Sequence, residues 1–362
     1  MRVLIAGGGT GGHLFPGLAV ARALKSRLPA AQISFVGTVA GIEARVIPSS
    51  GFELDFIRSG GLKGKSGFSM LRGLALLPLS AIDAWRLVGR RKPDVVVGVG
   101  GYSSGPVVAV AALRGIPTMV LEQNAVPGVT NRLLSPVVRA AAVNFEASRS
   151  FFGAKARVTG NPVREGFSHV DDSAITSSDV RVLIFGGSQG AHAINVAVSE
   201  AAPRLAGRGD AQAINVVCQT GTRDYEMVRE AFERNGVAGR VERFIDAMDR
   251  EMTQAGLVVS RAGATTLAEL TAAGRPSILI PLPTAADDHQ RRNAEALATA
   301  GAAEVIDQRE LSGVVLANRI IALANNRERR RQMSAAARRL AKTDAADRIV
   351  DMVLGLVEHR VS

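Results

Sequence analysis

The sequence predicts an α/β protein made of two doubly wound domains, and three observations carry that prediction. Short apolar runs alternate with amphipathic stretches of helical period. The alternation starts afresh about halfway along the chain. In each half an apolar run ends in a cluster of glycines.

Residues 3–6 read as a buried strand that ends in glycines, and residues 15–28 as the helix that follows. Residues 33–36, 94–99 (DVVVGV) and 118–121 (TMVL) are further strands, the signature of βαβ units around a parallel sheet. The pattern restarts at residues 180–185 (VRVLIF) and continues with strands at 214–218, 257–260 and 277–281. The join falls near 160–166 (GNPVREG), where Pro and Gly break the pattern, giving domains 1–160 and 161–340. Residues 338–360 read as one long final helix with Ile349, Met352, Val353 and Leu356 on one face. Two Rossmann-like sheets facing a cleft would hold ligands at the carboxyl ends of their strands.

The 362 residues suit two domains, and 47% hydrophobic with 21% charged residues is a globular balance. The lone Cys218 excludes an internal disulfide and reads as a small buried hydrophobe. The apolar run at 3–6 is too short for a secretory signal, and no run is long enough to span a bilayer. The net charge of +11 is unevenly spread: residues 1–160 hold 19 basic and 7 acidic side chains, a balance of +12, and the remainder carries −1. Segregation of this kind points to an anionic partner for the first half, whether nucleic acid, membrane surface or phosphorylated substrate.

The first glycine loop, Gly7 to Gly12, matches G-x-G-x-x-G between a strand and a helix. Its glycines permit close backbone approach, and the helix N-terminus favours anionic oxygens. A dinucleotide enzyme would also carry an acid at the end of the second strand; here residues 35–38 are Phe-Val-Gly-Thr, and Glu43 falls in the next helix. A dinucleotide site, a plain tight turn and another phosphate site all remain open. His13 follows at the helix start, where the neutral imidazole is favoured and can accept a proton; a capping or packing histidine is the alternative. The second loop, residues 186–191 (GGSQGA), lacks the Lys of a P-loop but could hold a diphosphate by its backbone and the Ser188 hydroxyl. Residues 261–269 (RAGATTLAE) form a small-residue turn into a helix that carries Glu269, a carboxylate able to hold ribose hydroxyls. Asp287, Asp288, His289, Gln290 and Asn293 add side chains that suit sugar hydroxyls.

Eight segments in order, GGGTGGHLFPGLAVA (7–21), GGYSSGP (100–106), EQNAVPGVTN (122–131), GNPVR (160–164), GGSQGA (186–191), FID (244–246), RAGATTLAE (261–269) and DDHQRRNA (287–294), span most of the chain. Together they resemble the bacterial N-acetylglucosaminyltransferases that convert lipid I to lipid II in peptidoglycan synthesis. The resemblance implies a GT-B fold: an acceptor- and membrane-associated first domain, a UDP-GlcNAc-binding second domain, and a final helix (about 341–362) that returns to the first. It implies that Thr10, Gly11 and Gly12 border the diphosphate and sugar, and that Asn124 contacts the sugar. Arg164, Ser188 and Gln290 would bind the donor, Ile245 would meet uracil through its backbone, Ala264 and Thr265 would lie beside the diphosphate, and Glu269 would take the ribose. His13 is the implied base, with Glu122 as its rival.

The implied reaction inverts an α-linked donor to a β-linked product in one displacement, which needs one base and stabilisation of the departing diphosphate. The chain contains no Asp-x-Asp, so neither a protein-bound metal nor another cofactor is expected. Residues 62–92 set an apolar cluster, including Leu74 and Trp85, among Lys63, Lys65, Arg72, Arg90, Arg91 and Lys92. That composition suits an interfacial segment on anionic lipid, the cytoplasmic face of the inner membrane under this reading; a core helix pair is the alternative. The expected partners are UDP-GlcNAc, lipid I and an anionic membrane surface, without nucleic acid. A nucleotide-sugar-binding protein without catalysis would keep the donor loops but would not need His13 beside residues 122–124. A nicotinamide enzyme and a nucleic-acid-binding protein remain as further rivals.

Overall fold

The computed structural model describes residues 1–60, 67–168, 173–187, 190–206 and 213–361. By internal packing these form two compact units, one of residues 1–164 with 342–362 and one of residues 165–341.

The first unit is built on seven parallel strands: β1 Arg2–Gly7, β2 Gln32–Gly37, β3 Glu53–Phe56, β4 Val95–Gly100, β5 Thr118–Glu122, β6 Ala140–Val143 and β7 Ala156–Val158, in the order β3-β2-β1-β4-β5-β6-β7. Side chains alternate across a strand, so β1 buries Val3 and Ile5 on one face and Leu4 and Ala6 on the other. The first face is covered by Leu14, Leu18, Ala21 and Leu24 of the helix Gly11–Arg27 and by Ile349, Val350 and Val353 of the last helix. The second is covered by Ala84, Leu87 and Val88 of the helix Gly67–Arg91 and by Val107, Val108 and Ala111 of the helix Ser104–Leu113. A parallel sheet covered on both faces reads as continuous apolar runs, which explains their legibility.

The second unit repeats the plan with β8 Val180–Phe185, β9 Ile214–Gln219, β10 Gly239–Glu242, β11 Leu257–Ser260, β12 Ser277–Leu279 and β13 Ala303–Val305, in the order β10-β9-β8-β11-β12-β13. Each sheet reverses its strand order once, at β1/β4 and at β8/β11. Crossovers diverge there to opposite faces, which opens a crevice at the carboxyl ends of the strands. The α/β class and the two doubly wound sheets are those the sequence predicts.

The final helix forms in the first unit as expected but starts later, at Ala345–Val361; residues 338–340 instead end a separate helix, Arg327–Leu340. Ala341 takes an extended conformation (ψ 136°), and the chain leaves the second unit for the first at that point. Helical period continues across the break, so periodicity by itself could not locate it. Among the described residues no helix is long and apolar enough to cross a membrane.

Candidate functional site

In the first unit the two loops at the switch point pack back to back. Gly8 donates its N–H to the Gly100 carbonyl (3.3 Å), so the turn after β1 rests on the turn after β4. Beneath it lies Glu43, the first residue of the helix Glu43–Ser49 and only 1% exposed. Its carboxylate accepts the N–H of Gly9 at 2.7 Å, the N–H of Thr38 at 2.9 Å and the Thr38 hydroxyl at 3.1 Å. Gly8 sits at φ +151°, and a Cβ there would come within 2.5 Å of the Glu43 carboxyl group. The acid missing from the end of β2 is thus supplied by Glu43, but it is turned inward to hold the loop. Sequence reasoning passed over Glu43 because it begins a helix instead of ending a strand. A carboxylate with three backbone and hydroxyl donors is poorly placed for a ribose, which weighs against a dinucleotide site.

Thr10 precedes the helix Gly11–Arg27, with Thr10 and Gly12 exposed and Gly11 half-buried. His13, in the first turn of that helix, is half-buried, and its Nδ1 lies 3.3 Å from Oε1 of Gln123. Gln123 is held in turn: its Nε2 donates to the Val99 carbonyl at 3.0 Å, and its backbone carbonyl accepts Asn144 Nδ2 at 3.0 Å. Gly100 at φ +96° makes room, because a Cβ there would approach His13 Nδ1 to 2.6 Å. Sequence reasoning missed Gln123; its only signal is its place in Glu-Gln-Asn at the end of a strand.

Glu122, the last residue of β5, is 3% exposed. Its Oε1 accepts the Asn124 N–H (2.9 Å) and Asn124 Nδ2 (3.3 Å); its Oε2 accepts the Gly128 N–H (3.0 Å) and Asn131 Nδ2 (2.9 Å). Both oxygens therefore shape the 122–131 turn and orient Asn124. Arg164, the last residue of this part of the first unit, lies 5.0 Å from the ring centre of Phe15, a cation–π contact beside the first turn of the helix Gly11–Arg27. Thr10, Gly11, Gly12 and His13 thus follow β1, and Glu122 and Asn124 lie at the end of β5, at the carboxyl ends of strands in the same sheet, with Arg164 over Phe15.

In the second unit the loop after β8 keeps Gly187 and Gly190 at φ +103° and +75°; Ser188 lies outside the described residues. Gln219, the last residue of β9 and 2% exposed, ties two predicted segments together: its Nε2 donates to the Gly187 carbonyl (2.9 Å) and its Oε1 accepts the Ile245 N–H (2.8 Å). Sequence reasoning missed this glutamine, which no motif marks. Beside the same loop, His192 opens the helix His192–Leu205 and bonds Asp224 through Nδ1 at 2.9 Å, while Asn195 Nδ2 reaches the other Asp224 oxygen at 2.9 Å. Burial pushes the Asp224 carboxyl up, but the bonds from Asn195 and His192 outweigh it and hold the group below its ordinary range.

After β11, Arg261 fixes the third loop. Its guanidinium donates to the carbonyls of Ile280 (3.0 Å) and Pro281 (3.3 Å) and to Gln308 Oε1 (2.7 Å), and burial pulls its pKa down. Gly263 then caps the helix Ala264–Ala272, which carries Ala264, Thr265 and, in its second turn, the buried Glu269. Gln290 accepts the Leu282 N–H on Oε1 at 3.0 Å. Just before it, Asp287 and Asp288 both occupy the left-handed region (φ 54° and 53°), a costly backbone for residues with a Cβ and one that clusters at binding sites. Ala264, Thr265 and Glu269 thus follow β11 at the β8/β11 switch point, Gln290 follows the neighbouring β12, and Ile245 follows the edge strand β10. Such edges, where helix N-termini meet glycine turns, suit phosphates.

Comparison with known proteins agrees with the two-sheet fold. Residues 3–143 match the glycosyltransferase family 28 N-terminal domain, and residues 181–349 match the family 28 C-terminal domain. The UDP-N-acetylglucosamine–N-acetylmuramyl-(pentapeptide) pyrophosphoryl-undecaprenol N-acetylglucosamine transferase of Anaeromyxobacter sp. (strain K) is 48% identical over 99% of this chain and 94% of its own. The enzyme of the same name from Myxococcus xanthus is 46% identical over 99% and 93%. The crystal structure of Acinetobacter baumannii MurG is 31% identical, with a TM-score of 0.78 over 98% of this chain and 99% of that one.

Proposed function

The chain belongs to glycosyltransferase family 28, and from that premise we propose that it transfers N-acetylglucosamine from UDP-GlcNAc to the C4 hydroxyl of the muramyl sugar of lipid I. The product is lipid II, for peptidoglycan synthesis. The observation that carries this is identity of 45–48%, over nearly the whole chain, to transferases named for that reaction. Incubation with UDP-GlcNAc and a lipid I analogue should yield a product heavier by one N-acetylhexosamine; hydrolysis of UDP-GlcNAc without that product would sink the assignment.

The first unit is read as the acceptor side and the second as the donor side. In the second, the Ile245 N–H is occupied by Gln219, so uracil would be held through the Ile245 carbonyl, an acceptor that suits the uracil N3–H. Glu269 would take the ribose. The diphosphate would lie against Ser188, Ala264 and Thr265, and Gln290 would bind the donor. In the first unit His13 takes the proton of the acceptor hydroxyl as the new glycosidic bond forms and UDP departs with its electron pair. The four hydrogen bonds already accepted by Glu122 favour its acting as the support of Asn124 and leave His13 as the base.

Peripheral attachment to the anionic inner face of the cytoplasmic membrane is the second element of the proposal. It is supported by the helix Gly67–Arg91, which buries Ala84, Leu87 and Val88 yet exposes Leu77, Leu79, Ile82 and Trp85. The exposed Trp85 ring carries the Arg114 guanidinium 4.0 Å above it. Lys63 and Lys65, and the side chains of Arg72 and Leu74, lie outside the described residues. Arg90 and Arg91 are bonded to Asp55, so the apolar row carries more of this reading than those two cations do.

A further inference from the structure

The contact between His13 Nδ1 and Gln123 Oε1 bears on which tautomer the imidazole adopts. A glutamine side chain has a donor end and an acceptor end. The Val99 carbonyl can only accept, and it sits 3.0 Å from Gln123 Nε2, which fixes that end as the donor. Oε1 is then the end that faces His13, 3.3 Å from Nδ1. An amide oxygen cannot donate, so this contact is a hydrogen bond only when Nδ1 carries the proton. The neutral ring therefore keeps its lone pair on Nε2. Gln123 is 3% exposed, its backbone carbonyl is held by Asn144, and Gly100 leaves space for the imidazole beside it. The pair is not an incidental surface contact.

We infer that Gln123 is a positioning residue for the transfer reaction: it holds His13 in the Nδ1–H tautomer so that Nε2 receives the acceptor proton. This rests on the reading of His13 as the base. The choice of an amide over a carboxylate has a consequence. A carboxylate in that place would orient the ring equally well but would stabilise the imidazolium, which cannot accept a proton. The neutral amide orients the ring without that stabilisation.

The charged groups on neighbouring elements stay constant when Gln123 alone is changed. Glu43 is bonded under the glycine loop, and Glu122 is bonded within its own turn. Arg164 lies over Phe15. Lys342 and Asp344 stand just before the last helix and Arg348 in its first turn, and Arg27 with Asp351 and Arg2 with Asp94 form ion pairs of their own.

The test is the pH profile of kcat/KM for the full-length protein with UDP-GlcNAc and a lipid I analogue, in Gln123→Glu, Gln123→Met and His13→Ala. In Gln123→Glu the acid limb should move to higher pH, with turnover recovering above it. In Gln123→Met turnover should fall roughly 10–100-fold across the pH range, a part of the general-base contribution, while UDP affinity is unchanged. Should Gln123→Met not fold, Gln123→Glu decides alone. An inactive His13→Ala together with an unmoved acid limb in Gln123→Glu overturns the role of Gln123 and leaves the base in place. Near-normal turnover in His13→Ala removes the base reading and this inference with it.

Discussion

The carboxylate of Glu43 lies 2.7 Å from the amide nitrogen of Gly9, so a buried acid, and not the sequence of the turn alone, holds the first glycine loop in place. Replacing it with glutamine keeps the shape but weakens its acceptance of the Gly9 and Thr38 amides. Glu43→Gln should lose about 1–3 kcal/mol of stability, the scale for hydrogen bonds to a charged group. It should raise KM for the lipid acceptor and leave UDP affinity intact. Denaturant unfolding and steady-state kinetics check both; an unchanged acceptor KM would remove the loop from the acceptor site.

Gln219 should matter to the donor in the same way. Gln219→Ala frees both the Gly187 carbonyl and the Ile245 N–H inside the second unit. UDP binding measured by calorimetry should weaken by about 1–3 kcal/mol, the cost of leaving the buried Ile245 N–H unsatisfied. Full affinity in a folded variant would separate these segments from the nucleotide.

Glu269 is buried in its helix, and its proposed partner is the ribose. Glu269→Ala should cost roughly 1–3 kcal/mol of donor binding, again a charged hydrogen bond. If the unaltered enzyme uses a 2′-deoxyribose donor as well as UDP-GlcNAc, Glu269 does not hold the 2′-hydroxyl.

The Asp224 carboxyl is held below its ordinary range in the folded protein. A depressed carboxylate contributes stability that is fully present above its unfolded value, about 3.9, and is lost as pH falls through the folded value. Stability should therefore decline on acidification below about pH 4, and Asp224→Asn should flatten that part of the curve. Parallel curves for the two proteins would show that the bonds to His192 and Asn195 contribute nothing there.

Membrane docking should depend on the exposed row of the helix Gly67–Arg91. Ile82→Ser with Trp85→Ser should reduce co-sedimentation with anionic liposomes even in high salt, where electrostatic attraction is screened. Neutralising Arg90 and Arg91 should do less, because both already pair with Asp55. A wild-type protein that ignores such liposomes at low salt would end the membrane proposal.

The sequence by itself determined the fold class, the central strands of both sheets and the glycine turns between strand and helix. These are local signals: a strand buried on both faces must be apolar throughout, and a turn at positive φ favours glycine. The short strands β3 and β10, with few or no buried residues, carried no such signal. Nor did the break before the last helix, where helical period runs on while the chain changes unit. Only the tertiary structure decided what holds the loops. Glu43 reaches Gly9 across 34 residues, Gln123 reaches His13 across 110, and Gln219 reaches Ile245 across 26. Each is one polar side chain whose partner is set by strand order rather than by neighbours in sequence. A lone glutamate or glutamine acquires its role only when the sheet brings its carboxylate or amide to a particular backbone group or ring nitrogen.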